Sequence, residues 1–534
     1  MALRVLDKTG SLTTTTTASV CIIGAGFAGL VAATRLARDR RRRIIVVESG
    51  LKGFDPAISA LNEIEDTGSD RFTGSTQSRF RGLGGTSLLW SGKLLPLSAS
   101  DTRPRPYLNM EGWPFDIAEL DVYRPEIESF MGVDLEPYEE SISNRLDPDS
   151  LLPRNDGDIS LRWPKRPSLK NHNLTNIFRE EIEKFDNLEI WLGATASGFE
   201  FDLASGKIKA LTARSLAGQT LRVAADEYLV AAGTLESTRL LLLADRQANH
   251  AISMDCDALG RYFNDHLGLI PATLRPLKRT LTNRTLSDRS TFSAQRHLHF
   301  ELRPEIQEKN GIGSAYCDLW AELPEDSSLT KSKQILAGIK QRRLGFDLQG
   351  FKAIVKDSPS LFRTAEWQWL KKQKYWPANA SLQMNMWVEQ LPQWQNRLCL
   401  SEQKDPLQLP KLKLEWKKTE ADEKAFKIMA RKINDYWNRH LAAICRLEWK
   451  PEFLSPNCRM VDSAYDLAHP AGSTRMGSNP SKSVVDAHLR VHRMPNLSVA
   501  SASVFPSSGS ANPTLTIMEL ALRATDAIAK RLPA

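Results

Sequence analysis

Between Val20 and Glu48 the chain reads strand, glycine turn, helix, strand and acid, and that order leaves few folds open. Val20-Cys21-Ile22-Ile23 is a continuous apolar run, as expected of a strand buried on both faces. Gly24-Ala25-Gly26-Phe27-Ala28-Gly29 follows at once, then a helical pattern from Leu30 to Arg38. A second apolar run, Ile44 to Val47, ends in Glu48. Gly24 permits a tight turn, Gly26 lets backbone amides approach a pyrophosphate, and Gly29 allows the helix to pack closely on the strand. The helix N-terminus offers partial positive charge to phosphates. Glu48, nineteen residues after Gly29, is spaced to accept hydrogen bonds from an adenosine ribose. The unit predicts an α/β chain with a Rossmann-like dinucleotide-binding domain.

At 534 residues the chain exceeds one simple core, so two intergrown domains are expected. No run of eighteen apolar residues exists, and the threonine-rich leader Met1 to Ser19 has no apolar segment of the secretory kind. Six cysteines stand singly, with no C-x-x-C or zinc spacing, so neither a disulfide framework nor a metal is expected. A reducing cytoplasm is the simplest home. The net charge of +8 is local: residues 331–377 hold eleven Lys or Arg against three acids, which accounts for the whole excess. Arg38 to Arg43 is nearly all arginine. These cations follow the C-terminal end of the first helix, where they oppose its dipole, and nucleic acid is not an expected partner.

Further along, Arg81-Gly82-Leu83-Gly84-Gly85-Thr86-Ser87-Leu88-Leu89-Trp90-Ser91-Gly92 is a second glycine-rich loop of the kind whose backbone closely approaches phosphates and flat rings. Tyr228 to Ser237 reads as a buried strand ending in the turn Ala231-Ala232-Gly233-Thr234-Leu235-Glu236-Ser237. One nucleotide site drawn from several distant segments suits FAD better than NAD. No second full glycine fingerprint with its own acid appears, so a separate NAD(P)H domain is not expected. Near the C-terminus, His469 opens His-Pro-Ala-Gly-Ser-Thr-Arg-Met-Gly, and Asn512 lies in Ser-Ala-Asn-Pro-Thr-Leu-Thr-Ile.

Taken in order, these segments resemble the glucose–methanol–choline (GMC) oxidoreductases. Gly112-Trp113-Pro114-Phe115, Gly260 to His266 and Glu389-Gln390-Leu391-Pro392 add to the match, which runs from about residue 19 to the end. The variant Gly-Gly-Thr-Ser-x-x-Trp-Ser-Gly resembles the sugar-acting branch, with pyranose oxidase, fructose dehydrogenase and aminoglycoside dehydrogenases. The resemblance implies a Rossmann-like FAD-binding domain from 1–98, 170–270 and 459–534. An intergrown substrate-binding domain, an antiparallel sheet with helices, would take 99–169 and 271–458. It implies His469 and Asn512 as catalytic residues. The cofactor contacts it implies are Gly24, Gly26, Phe27, Ala28, Gly29, Glu48, Arg81, Gly85, Thr86, Trp90, Ser91, Gly92, Ala196, Ala232, Gly233, Glu236, Ser501, Ala502 and Thr514. Two departures stand out. Leu89 occupies the position of the histidine that bonds covalently to flavin in pyranose oxidases, so non-covalent FAD is expected. Ser501 replaces an aspartate common in the family.

The implied reaction is oxidation of an alcohol, on a sugar or sugar-like polyol, to a carbonyl. A neutral imidazole suits removal of the hydroxyl proton, and an asparagine amide offers both a donor and an acceptor to the substrate oxygen. The alternatives are a non-sugar alcohol oxidase or dehydrogenase, a lyase on the same fold, and an inert flavoprotein subunit. Oxygen, a quinone or a protein would reoxidise the flavin. His266, His488 and His492 read as structural. In the basic segment 331–377, helix breaks are expected at Gly345 or Phe346 and at Asp357-Ser358-Pro359. Its mixture of Trp367, Trp369, Tyr375 and Trp376 with lysines fits three arrangements: a helix on an anionic membrane surface, a docking face for an acidic partner, or a solvated hairpin packed on the substrate domain.

Overall fold

The computed structural model describes the whole chain apart from residues 1–2, 77, 147–150, 203, 292, 326, 328–329, 332–357, 456 and 534. The apolar run after residue 19 is the end of a longer strand, Thr13–Ile23, followed by a helix Phe27–Ala37 and the strand Ile44–Val47. The threonine run is therefore part of a strand. β-Branched threonines favour extended backbone, and here they alternate between exposed and half-buried until the strand dives into the core at Val20. In the first sheet Leu3–Val5, Leu188–Leu192, Ile44–Val47, Thr13–Ile23 and Thr220–Val230 lie side by side in parallel. Leu497–Val499 extends the parallel set beside Thr220–Val230, and Lys207–Arg214 and Thr195–Asp202 add an antiparallel edge. The strand ends Val20–Ile23 and Ile44–Val47 are buried throughout, with the helix Phe27–Ala37 packed against them.

Gly29 sets how closely the first helix approaches: a Cβ there would lie 1.8 Å from the Gly24 carbonyl oxygen. The last helix, Thr514–Arg531, packs beside it, burying Leu515, Met518 and Leu522. The arginines after the first helix are all tied locally. Arg38 meets Glu126, Arg40 meets Asp186, Arg41 and Arg42 share Asp39, and Arg43 meets Glu189.

The second sheet is antiparallel, in the order Cys445–Trp449, His266–Pro276, Ser381–Glu389, Ala315–Glu322, His299–Leu302 and Ile159–Arg162. Its strands alternate with period two. Cys317, Leu319, Met384, Met386 and Val388 face a core closed by the helix Glu420–His440, which lays Phe426, Met429, Ile433 and Trp437 against them. Tyr316, Asp318, Trp320, Asn385 and Trp387 belong to the opposite face. Trp113, Ile117, Leu120, Ile127 and Met131 join the core of the first sheet.

Within the basic segment, the expected break near Gly345 lies outside the described residues. The helix Ser358–Trp369 forms where one was expected after Asp357. Trp367 and Trp376 are buried, whereas Phe362, Trp369 and Leu370 are exposed. Among the described residues no helix is long and apolar enough to cross a membrane. The stretch 484–492, which carries His488 and His492, holds a turn in which Asp486 accepts the amides of His488 and Arg490. Asp side chains compete with ladder bonding in this way.

Candidate active site

A cavity of about 610 Å³ runs from the glycine fingerprint to His469 and Asn512, with Tyr316, Trp320 and Trp387 of the second sheet as its far wall. Gly24, Gly26, Phe27, Ala28, Glu48, Arg81, Gly85, Thr86, Trp90, Ser91, Ala196, Ala232, Gly233, Glu236, Ser501, Ala502 and Thr514 all line it, as does Leu89. Two expected contacts do not. Gly29 is spent on helix packing, and Gly92 lies against the His172 ring, where a Cβ would come within 2.5 Å of Nε2.

The first helix begins at Phe27 with Gly26 as its cap and no side chain capping it, so its opening amides face the cavity. Glu48 is 6% exposed and accepts the amides of Ala25 and Gly50, both at 2.8 Å, one on each oxygen. Each carboxylate oxygen keeps acceptor capacity for a hydroxyl. Burial pushes this carboxyl above its ordinary value, against the pull of those amides. Arg81 and Glu236 spend their charge on each other at 2.8 Å. Burial alone would raise Glu236, but the guanidiniums of Arg81, Arg239 and Arg79 bring it down to about 2. The pair builds the wall rather than presenting a free charge.

At the other end, the geometry fixes the tautomer of His469. A backbone carbonyl can only accept, so His266 Nε2, 2.8 Å from the Gly509 oxygen, carries a hydrogen. Neutral His266 then has a bare Nδ1, which lies 3.0 Å from Nδ1 of His469. His469 must donate there, and its Nε2 is left with a lone pair. That nitrogen faces the Asn512 amide nitrogen at 3.2 Å, while Asn512 Oδ1 is buried without a partner. Burial, then the neighbouring His266 and Lys93, hold His469 well below the usual histidine range. Burial lowers His266 as well. His266 was expected to be structural in a turn; it begins a strand and orients the ring of His469.

The backbone around His469 is pinned from behind. Asp265 accepts the His469 amide on both carboxylate oxygens at 3.0 Å and the His266 amide at 2.6 Å. Ala468, just before His469, is held at φ 57°, a left-handed conformation that costs a non-glycine residue about 1 kcal/mol or more. The Gly509 carbonyl is pinned in turn, because its amide bonds Glu389, which also takes both Nη atoms of Arg105 at 2.7 and 2.8 Å. Both partners of that ion pair are buried. Arg105→Ala leaves a buried carboxylate uncompensated and is expected to lower stability by about 3–5 kcal/mol, read from urea unfolding of the holoprotein.

Sequence reasoning missed a polar group on the second sheet. His299, Asp318 and Asn385 are cross-strand neighbours in register. Asp318 bonds Lys93, and its other partners are the His297, Trp320, Asn385 and Trp387 side chains. His297, His299 and Asp318 bring ligand-type atoms within 4.8 Å of one another, although Lys93 already occupies one Asp318 oxygen. No local spacing announces this group, because strand register assembles it.

Residues 392–521 match the model of the family described as GMC oxidoreductase, and residues 22–52 match an NAD(P)-binding Rossmann-like domain. The chain is 24% identical to 6'''-hydroxyparomomycin C oxidase of Streptomyces lividus, over 96% of this chain and 92% of that protein. It is 28% identical to the fructose dehydrogenase large subunit of Gluconobacter japonicus, over 61% of this chain and 51% of that one. Among solved structures, formate oxidase of Aspergillus oryzae superposes with a TM-score of 0.60 at 17% identity, covering 97% of this chain and 99% of that one. Pyridoxine 4-oxidase from Mesorbium loti superposes at 0.58 and 18%, covering 96% and 99%. The structural likeness shows the fold.

Proposed function

The chain is a GMC oxidoreductase, an FAD-dependent enzyme acting on CH–OH donors, and from that premise we propose that it oxidises an alcohol group on a sugar or sugar-like polyol to a carbonyl, with His469 as base. The observation that carries the reading is the bonding order Gly509, His266, His469, Asn512, which leaves His469 Nε2 as an acceptor in the cavity. FAD, when bound, supplies the hydride acceptor at its N5. The cavity fits it: amides at an uncapped helix start suit a pyrophosphate, and buried Glu48 suits a ribose. His469 takes the hydroxyl proton, and the unpartnered Asn512 Oδ1 is placed to orient the substrate oxygen. The opening of the helix Thr514–Arg531 lends partial positive charge near the reacting centre.

In this reading 1–98, 170–270 and 459–534 form the FAD-binding part, and 99–169 and 271–458 the substrate part. FAD is held without a covalent bond, in keeping with Leu89; acid precipitation should release free flavin. The reoxidant is oxygen, a quinone or a protein. Exposed Phe362, Trp369 and Leu370 beside the basic residues support docking of that segment on a membrane surface or acidic partner. The sugar relatives favour polyols over simple alcohols. Anaerobic flavin bleaching screened across sugars, aminocyclitols and simple alcohols tests the proposal. Turnover without bleaching would establish the lyase reading instead.

A pH prediction follows. The base works when neutral, and His469 is held well below the usual 6.5. The rate of flavin reduction should therefore be flat above pH 6.5 and fall only as acid protonates His469 below it. An acid limb centred at or above 6.5 in stopped-flow reduction would contradict this.

A further inference from the structure

We propose that Lys93 anchors a second oxygen of the substrate and thereby selects polyhydroxylated substrates over monohydric alcohols; the inference rests on the alcohol-oxidising reading above. Lys93 lines the same cavity as His469 and Asn512 and is only 3% exposed. Its ammonium bonds Asp318. That uses one of three N–H donors, and among the described residues no second acceptor takes another. The nitrogen lies 5.5 Å from the ring centre of Trp320 and 5.8 Å from that of Trp387, so two indole rings hold it as well.

Asp318 is itself committed. Its Oδ1 accepts from the Trp320, Asn385 and Trp387 side chains at 3.1, 3.0 and 3.0 Å, and its Oδ2 also faces His297 Nε2 at 3.2 Å. Beyond it, His297 Nδ1 meets Asp288 at 2.5 Å, and Asp288 lies 3.7 Å from the ammonium of Lys374. A row of alternating groups thus runs from the surface inward and leaves Asp318 little freedom to swing. Asp318 is a positioning residue, and Lys93 is the group with donors to spare.

The chemistry of the match is specific. Hydroxyl oxygens accept from an ammonium, and the C–H faces of a pyranose or cyclitol ring lie well on indole. Because Asp318 balances the charge of Lys93, the anchor suits a neutral hydroxyl rather than a full anion. A monohydric alcohol brings only the reacting hydroxyl, which His469 and Asn512 already engage, so it leaves Lys93 without a partner.

The test is anaerobic flavin reduction by the FAD-loaded enzyme, titrated with a hexopyranose or cyclitol and, separately, with cyclohexanol. Lys93→Met should raise the apparent Kd for the polyol about tenfold or more, the worth of a hydrogen bond to a charged group, and change that for cyclohexanol less than twofold. Lys93→Arg keeps charge and donors and should retain much of the polyol preference. If Lys93→Met does not hold FAD, Lys93→Gln set against Lys93→Arg reads the same ratio, with Gln the poorer for polyols. Equal losses on both substrates, or an unchanged ratio while polyols reduce the wild type, would overturn the anchor and leave the proposed function standing. Failure of every polyol to reduce the FAD-loaded wild type would overturn that function, and the anchor with it.

Discussion

His469→Ala should slow anaerobic flavin reduction by about 10²–10⁴ while FAD stays bound, the range over which a positioned general base contributes. The contrast between the two readouts is the point. The ring reaches only the far end of the cavity from Glu48 and the glycine fingerprint, so the phosphate and ribose contacts survive its loss. Its backbone amide, held by Asp265, also survives, so the loop keeps its course. Stopped-flow reduction with saturating substrate measures the first quantity, and the flavin absorbance of the purified protein measures the second. A rate within a few-fold of wild type would remove His469 from the mechanism.

Gly26→Val should yield a folded protein that purifies colourless. Gly26 sits at φ −88° and ψ −156°, extended backbone open to any residue. A Cβ there would meet only the Gly85 Cα, at 3.9 Å, so the fold without cofactor loses nothing by it. The added branches would instead project into the cavity at the helix start, where the pyrophosphate must approach the amides. Circular dichroism matching wild type, together with loss of bound flavin, is the expected pair of results. A yellow variant with full flavin content would show that the cofactor does not pass this glycine.

The first unit was legible because its determinants are local. A strand, a turn needing glycine, a helix start and an acid fall within thirty residues, and each has a distinct chemical reason to be there. His469 and Asn512 were legible through motif alone; their mutual contact comes from folding. His266 reads as structural, but an Asn-Asp-His sequence says nothing about a partner 203 residues away. Lys93, Asp318 and the two tryptophans were invisible for a related reason. They converge through the pairing of Ala315–Glu322 with its neighbours and one loop from the first half, and a period-two pattern reports which face a residue takes, not what lies across from it.

The bonding order behind His469 also limits traffic. A row of imidazoles usually suggests a conduit, yet this one ends on the Gly509 carbonyl, which has no proton to give and no capacity to pass one on. A proton gained by the base therefore has no outlet along this row. It leaves instead from the ring's other nitrogen, on the cavity side where Asn512 lies, so discharge of the proton and clearance of the product concern the same space. A product that lingers there also postpones resetting of the base.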